Sequence, residues 1–218
     1  FISNFKGSAG YAIVLKNKNY LFVDGRYSIQ AKIESGENFK ILDYKKIINT
    51  NIFKNLNLGI DPKLFTSNQI KKFFLKYNKV TSIDKNLIDK IYKFNSKEKI
   101  PFYTLNKETT GEGHLQKISR VCSYLKKKKC DYLFITAPEN IAWLLNIRGH
   151  DNPTSPIPNC YLVINKKKNI YLIVEKDKLK NLIKAKRFKK SQIIDPKNIS
   201  SLFHRLKRGN ILIDEKTC

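Results

Sequence analysis

The 218 residues contain no methionine, one tryptophan, three histidines and four cysteines. No initiator is present, and together with the internal pattern described below this leads us to expect a fragment of a longer chain. Cys122, Cys130, Cys160 and Cys218 form no Cys-x-x-Cys pair, which excludes the common zinc spacings and suits a reducing compartment. The most apolar run, Ile141 to Ile147, is far shorter than the ~20 residues of a membrane span. The opening Phe-Ile-Ser-Asn-Phe has neither a basic nor an apolar leader region, so a signal peptide and a membrane role are not expected. Acidic residues are scarce, 18 against 43 Lys and Arg, for a net charge of +25. The lysines are scattered over nearly every turn and helix instead of forming an Arg-rich stripe, so nucleic-acid binding is not the expected role. The sequence also holds no His-Glu-x-x-His, no P-loop and no Gly-x-Gly-x-x-Gly between strand and helix. His114, His150 and His204 lack metal-ligand spacing, and no cysteine has a base partner that would make it a nucleophile.

What is present is a packed, mixed α/β pattern. Ala12–Leu15 and Tyr20–Val23 flank a Lys-Asn turn and predict a hairpin. A helix follows from about Tyr27 to Glu34 and stops at Gly36. Phe39–Leu42 predicts a strand. Ile47, Ile48, Ile52, Phe53 and Leu56 predict an amphipathic helix over 46–56. Leu58–Ile60 is a strand closed by Asp61-Pro62, Ser67 is positioned to cap a helix to Tyr77, and Val80–Ile83 is one more strand. The polar stretch around Pro101 reads as a linker.

Beyond it, Leu115, Ile118, Val121, Cys122 and Leu125 stripe a helix over 113–128. A strand at Tyr132–Thr136, a proline-initiated helix over 138–145 and a proline-rich loop over 149–158 follow. Then the earlier order returns: hairpin (161–164 and 170–174), helix (177–185), strand (192–194), helix (199–208), and a strand over 210–213 ending in Asp214. Asn4-Phe5-Lys6-Gly7 precedes the first hairpin as Asn146-Ile147-Arg148-Gly149 precedes the second, and Leu58-Gly59-Ile60-Asp61 matches Leu212-Ile213-Asp214. A domain-sized duplication is expected. The second copy has a helix–strand–helix run ahead of its hairpin that the first lacks, and the first continues past Asp61 where the second stops. Both copies are therefore expected to be truncated: the first domain over 1–95, a linker over 96–112, the second domain over 113–218.

Two loops carry candidate chemistry. Asp24-Gly25-Arg26-Tyr27 sits at a strand-to-helix turn. Arg26 is placed there either to bind a carboxylate or peptide carbonyl, or to serve as a surface arginine beside a capping aspartate. In Ile147-Arg148-Gly149-His150-Asp151, Arg148 and Asp151 are expected to pair across the loop, and His150-Asp151 reads as loop structure before metal ligation.

Gly7-Ser8-Ala9-Gly10, Asp24-Gly25-Arg26-Tyr27 and Gln30-Ala31 resemble the first domain of the Xaa-Pro aminopeptidases (aminopeptidase P), relatives of creatinase. Glu139-Asn140-Ile141-Ala142-Trp143-Leu144-Leu145-Asn146-Ile147-Arg148-Gly149, with Asp151, is similar to that family's second domain. The resemblance implies an α/β chain of two tandem creatinase N-terminal-like domains, each a mixed β-sheet flanked by helices, preceding a catalytic domain. That catalytic domain would hold two manganese ions through two Asp, one His and two Glu, none of which is expected here. It also implies a cytoplasmic homodimer acting on peptides with proline at the second position, with Arg26 reaching the substrate. In place of a tryptophan and an Arg-Pro pair, this chain has Tyr92 and Lys93-Phe94. Accessory domains of an Xaa-Pro dipeptidase or creatinase, or a basic nucleic-acid-binding module, are the alternatives.

Overall fold

A polar turn between two β-rich runs folds back on itself, and both hairpins form where alternation places them. In the computed structural model, which describes residues 1–48, 52–92, 100–152 and 154–218, the chain divides into two compact units, Phe1–Asn95 and Ser96–Cys218.

In the first unit, β1 (Gly10–Val14) and β2 (Asn19–Val23) are antiparallel, and β3 (Lys40–Asp43) runs parallel to β2. The crossover between β2 and β3 contains α1 (Ser28–Ser35), which ends at Gly36 with φ 55°, a left-handed conformation natural to glycine. β4 (Asn57–Ile60) and β5 (Lys79–Ser82) form a separate parallel pair, joined by α2 (Ser67–Ile70), which continues as a π-helical turn through Lys71–Leu75. A short α3 (Leu87–Ile91) follows. Phe22, Ile47, Phe53, Phe73 and Phe74 build one buried cluster, and Leu21, Val23, Ala31 and Phe39 another.

The helix expected over 46–56 does not form. Tyr44–Ile47 is a single 3-10 turn capped by Asp43, and 52–56 is irregular, with Asn55 at φ 59° and its N–H bonded to the Tyr77 carbonyl; residues 49–51 lie outside the described residues. β-Branched and Asn residues are weak helix formers, and the apolar spacing marks buried positions, Ile47 and Phe53, instead of a helix face. The cap of α2 is Thr66, one residue before the expected Ser67: its Oγ1 accepts the Gln69 N–H while Gln69 Oε1 accepts the Thr66 N–H.

The second unit contains β6 (Tyr103–Thr104), α4 (Lys107–Thr110), α5 (His114–Lys127), β7 (Tyr132–Ile135), α6 (Pro138–Leu145) and β8 (Ile147–Arg148). It continues with β9 (Tyr161–Asn165), β10 (Ile170–Ile173), α7 (Lys180–Lys184), β11 (Ile193–Ile194), α8 (Ile199–Leu206) and β12 (Ile211–Leu212). One five-stranded sheet results, in the order β11-β10-β9-β7-β12. α5, α6 and α7 cover one face through Ile118, Leu125, Ile141, Leu145 and Leu182, while α8 covers the other through Leu202 and Leu206. The described part of the segment read as a linker is built into this unit. Phe102 is fully buried, its N–H binds the Lys178 carbonyl, and β6 pairs antiparallel with β8. Pro101 breaks regular structure, but the aromatic next to it fills a core position.

Candidate functional site

Arg26 stands where β2 gives way to α1. Asp24 caps the intervening Gly25–Tyr27 turn: its Oδ1 accepts the Arg26 N–H at 3.0 Å and the Arg26 Nε–H at 2.9 Å, and the Tyr27 N–H binds the Asp24 carbonyl. The ion pair holds the Asp24 carboxyl below and the Arg26 guanidinium above their ordinary ranges, the side-chain hydrogen bond being the main cause in each case. The Arg26 side chain nonetheless remains 80% exposed. Nε and Nη2 both donate to the Asp24 carboxylate, Nη2 at 3.5 Å, so the group is held in place while its side chain stays largely exposed.

The remaining motif residues of the first unit gather around this turn. Ser8 Oγ and Tyr27 Oη lie 2.8 Å apart, the Tyr27 ring packs edge-on against Phe5, and the Ser28 hydroxyl donates to the Gly25 carbonyl. Glu34 on α1 accepts the Lys6 N–H at 2.7 Å and the Gln30 side chain, while Asn4 donates to the Glu34 carbonyl. The Phe5 ring lies against Gly7 so closely that a Cβ there would overlap it. Asn4–Ser8, Asp24–Tyr27 and Gln30 thus form one braced platform under Arg26. Chemically it can offer a fixed cation to a carboxylate or peptide carbonyl. It holds no nucleophile and no base aimed at a shared point.

In the second unit the expected Arg148–Asp151 pair is absent. Arg148 Nη1 donates to the carbonyls of Ala142 and Ile147, tying the end of α6 to β8. Asp151 instead receives Lys178 Nζ at 2.7 Å and the Asn159 N–H at 2.7 Å, a largely buried ion pair that closes the loop from the opposite side. Both donors come from residues distant in sequence. His150 stacks on Tyr103 at 5.2 Å, which fits a structural place in the loop. Among the described residues no three His, Cys, Asp or Glu side chains come together to hold a metal ion. The described residues therefore do not fit a two-metal centre, and no chemical step is routed through one.

A polar hub escapes sequence reasoning. Lys117 is 2% exposed, and its Nζ donates to Asn146 Oδ1 at 2.7 Å and the Trp143 carbonyl at 2.9 Å while lying over the Trp143 ring. Asn146, left-handed at φ 50°, ends α6 and donates onward to Thr110 Oγ1 and the Glu112 carbonyl. Burial pushes the Lys117 ammonium below its ordinary range. The signal was a lysine within the apolar stripe of α5. Leu115, assigned to that stripe, is exposed.

The family model for the Creatinase/Prolidase N-terminal domain matches residues 94–218. A probable Xaa-Pro aminopeptidase P of Laccaria bicolor is 33% identical, the match covering 75% of this chain and 28% of that protein. Xaa-Pro aminopeptidase 1 of Dictyostelium discoideum is 31% identical over 85% of this chain and 33% of its own length. The crystal structure of the X-prolyl aminopeptidase of Caenorhabditis elegans, described as a cytosolic enzyme with a di-nuclear active site, superimposes with a TM-score of 0.82 at 27% identity. That match covers 94% of this chain and 36% of the other, so the chain spans about a third of the length of these relatives.

Proposed function

This chain belongs to the creatinase/prolidase N-terminal domain family, and we propose that it is the non-catalytic N-terminal region of an Xaa-Pro aminopeptidase. In this reading its two units are tandem creatinase N-terminal-like domains ahead of a C-terminal catalytic domain. That domain would carry the two metal ions and remove the first residue of peptides with proline second. The observation that carries the reading is the braced Arg26. An arginine left 80% exposed yet fixed through Nε by Asp24 suits capture of a peptide group better than internal stabilisation. A cytoplasmic homodimer belongs to the same reading; no helix among the described residues is long and apolar enough to cross a membrane.

The test is direct. The isolated 218-residue chain, incubated with Xaa-Pro peptides with and without manganese, is expected to release no N-terminal residue. Metal-dependent hydrolysis by this chain alone overturns the proposal. The same sites in an Xaa-Pro dipeptidase or creatinase would be distinguished by which substrate the full-length protein turns over.

A further inference from the structure

Among the described residues Arg187 has no carboxylate partner, although its guanidinium is partly buried. It follows α7 and reaches the end of α6, where its Nη2 donates to the Leu145 carbonyl. That is one bond from a group with five N–H donors. Its Nε–H is buried and unpartnered. Burial alone pushes the guanidinium below its ordinary range, with no neighbouring acid to oppose it. A cation withdrawn from water without a counter-charge is costly to the fold.

Arg187 lines a cavity of about 260 Å³, and the other groups on its wall select the same kind of occupant. His114 comes from the first turn of α5, Lys168 from the β9–β10 turn and Gln192 from the turn ahead of β11. Among the described residues no Asp or Glu lines it. Burial first, and then the Arg187 charge, hold His114 below its ordinary range, so the ring is neutral at pH 7. The positive end of the α5 dipole adds to the field. Ile118 and Phe188, both buried, make part of the wall apolar, so charge there is less screened than on an open surface.

We propose that this cavity binds a phosphate group carried by a small molecule, with Arg187 and Lys168 meeting its charge and His114 and Gln192 donating to its remaining oxygens. A phosphate monoester brings about two negative charges and three acceptor oxygens. These match two cations and two further donors, whereas a single carboxylate brings one charge and two oxygens. The cavity is smaller than the ~300–1,000 Å³ of sites for drug-sized ligands, so the ligand is compact. The site lies wholly in the second unit, and the inference stands apart from the aminopeptidase reading and from Arg26.

Titration of the 218-residue chain with inorganic phosphate, at an ionic strength held constant with chloride, tests it. Binding is followed by calorimetry and by the His114 ring signals in NMR. One saturable site is expected, with the His114 signals moving along the binding curve. The ring's titration midpoint should rise when phosphate is bound, because a neighbouring anion favours the imidazolium. Arg187→Gln is expected to weaken binding about 10- to 100-fold, while Lys197→Gln, at an exposed lysine outside the cavity, leaves it unchanged. His114 signals that stay fixed as phosphate is added overturn the proposal, whether or not Arg187→Gln folds. An equal loss in Lys197→Gln also overturns it, since that marks diffuse attraction to a chain of charge +25. Tighter binding of acetate than of phosphate overturns it in favour of a carboxylate ligand.

Discussion

In the second unit β7 bridges β9 and β12, and a single five-stranded sheet buries apolar side chains on both faces; in the first, β1 and β4 belong to separate sheets of three and two strands. The course from hairpin through helix to a parallel third strand is the same in both. A shared order of elements therefore does not guarantee a closed sheet. In the second unit the four residues of β7 join β9 to β12. The candidate chemistry follows the same division. The first unit exposes its arginine at the turn after β2, whereas in the second unit the loop ahead of the hairpin is held by internal ties, with Arg148 on carbonyls and Asp151 on Lys178.

The largest effect separating the units should come from their cores. Leu162→Ala, in a fully buried position beside β7, is expected to cost about 3–4 kcal/mol of unfolding free energy, whereas Ile13→Ala, on β1 and slightly exposed, should cost about 2 kcal/mol. Urea denaturation followed by signals specific to each unit checks this, and equal losses would break the contrast. A smaller effect belongs to the hub. Lys117→Ala leaves Asn146 Oδ1 and the Trp143 carbonyl without their donor and is expected to cost about 2–3 kcal/mol, with the loss confined to the second unit. Its pH dependence has a definite sign. Because burial lowers the folded-state pKa of Lys117, the unfolded chain binds more protons, so the native protein should gain stability relative to Lys117→Ala as pH rises toward the ordinary lysine value of 10.5.

Much of this architecture was legible in the residues. Hairpins and their order follow from local alternation and turn chemistry, and α6 from a proline at its first turn. Features set by distant partners were not legible. Lys178 and Asn159 decide the role of Asp151 from 27 and 8 residues away. Phe102 joins a core whose other members come from elements as far apart in sequence as α5, α6, β9, β10 and α7. The helix expected over 46–56 failed because the same spacing of apolar residues marks positions, Ile47 and Phe53, that are buried in one cluster without sharing a helix face. At Arg26 the sequence identified the residue and its capping partner. The brace of Ser8, Tyr27, Lys6 and Glu34 around them required the fold.

The role assigned to Arg26 is tested most directly by steady-state kinetics of the full-length protein on an Xaa-Pro peptide, comparing Arg26→Ala and Arg26→Lys with the parent. A charge-assisted hydrogen bond to substrate predicts a KM raised about 10- to 100-fold by Arg26→Ala, with kcat little changed and partial recovery in Arg26→Lys. Unaltered KM and kcat in Arg26→Ala would contradict a substrate-facing role for this platform.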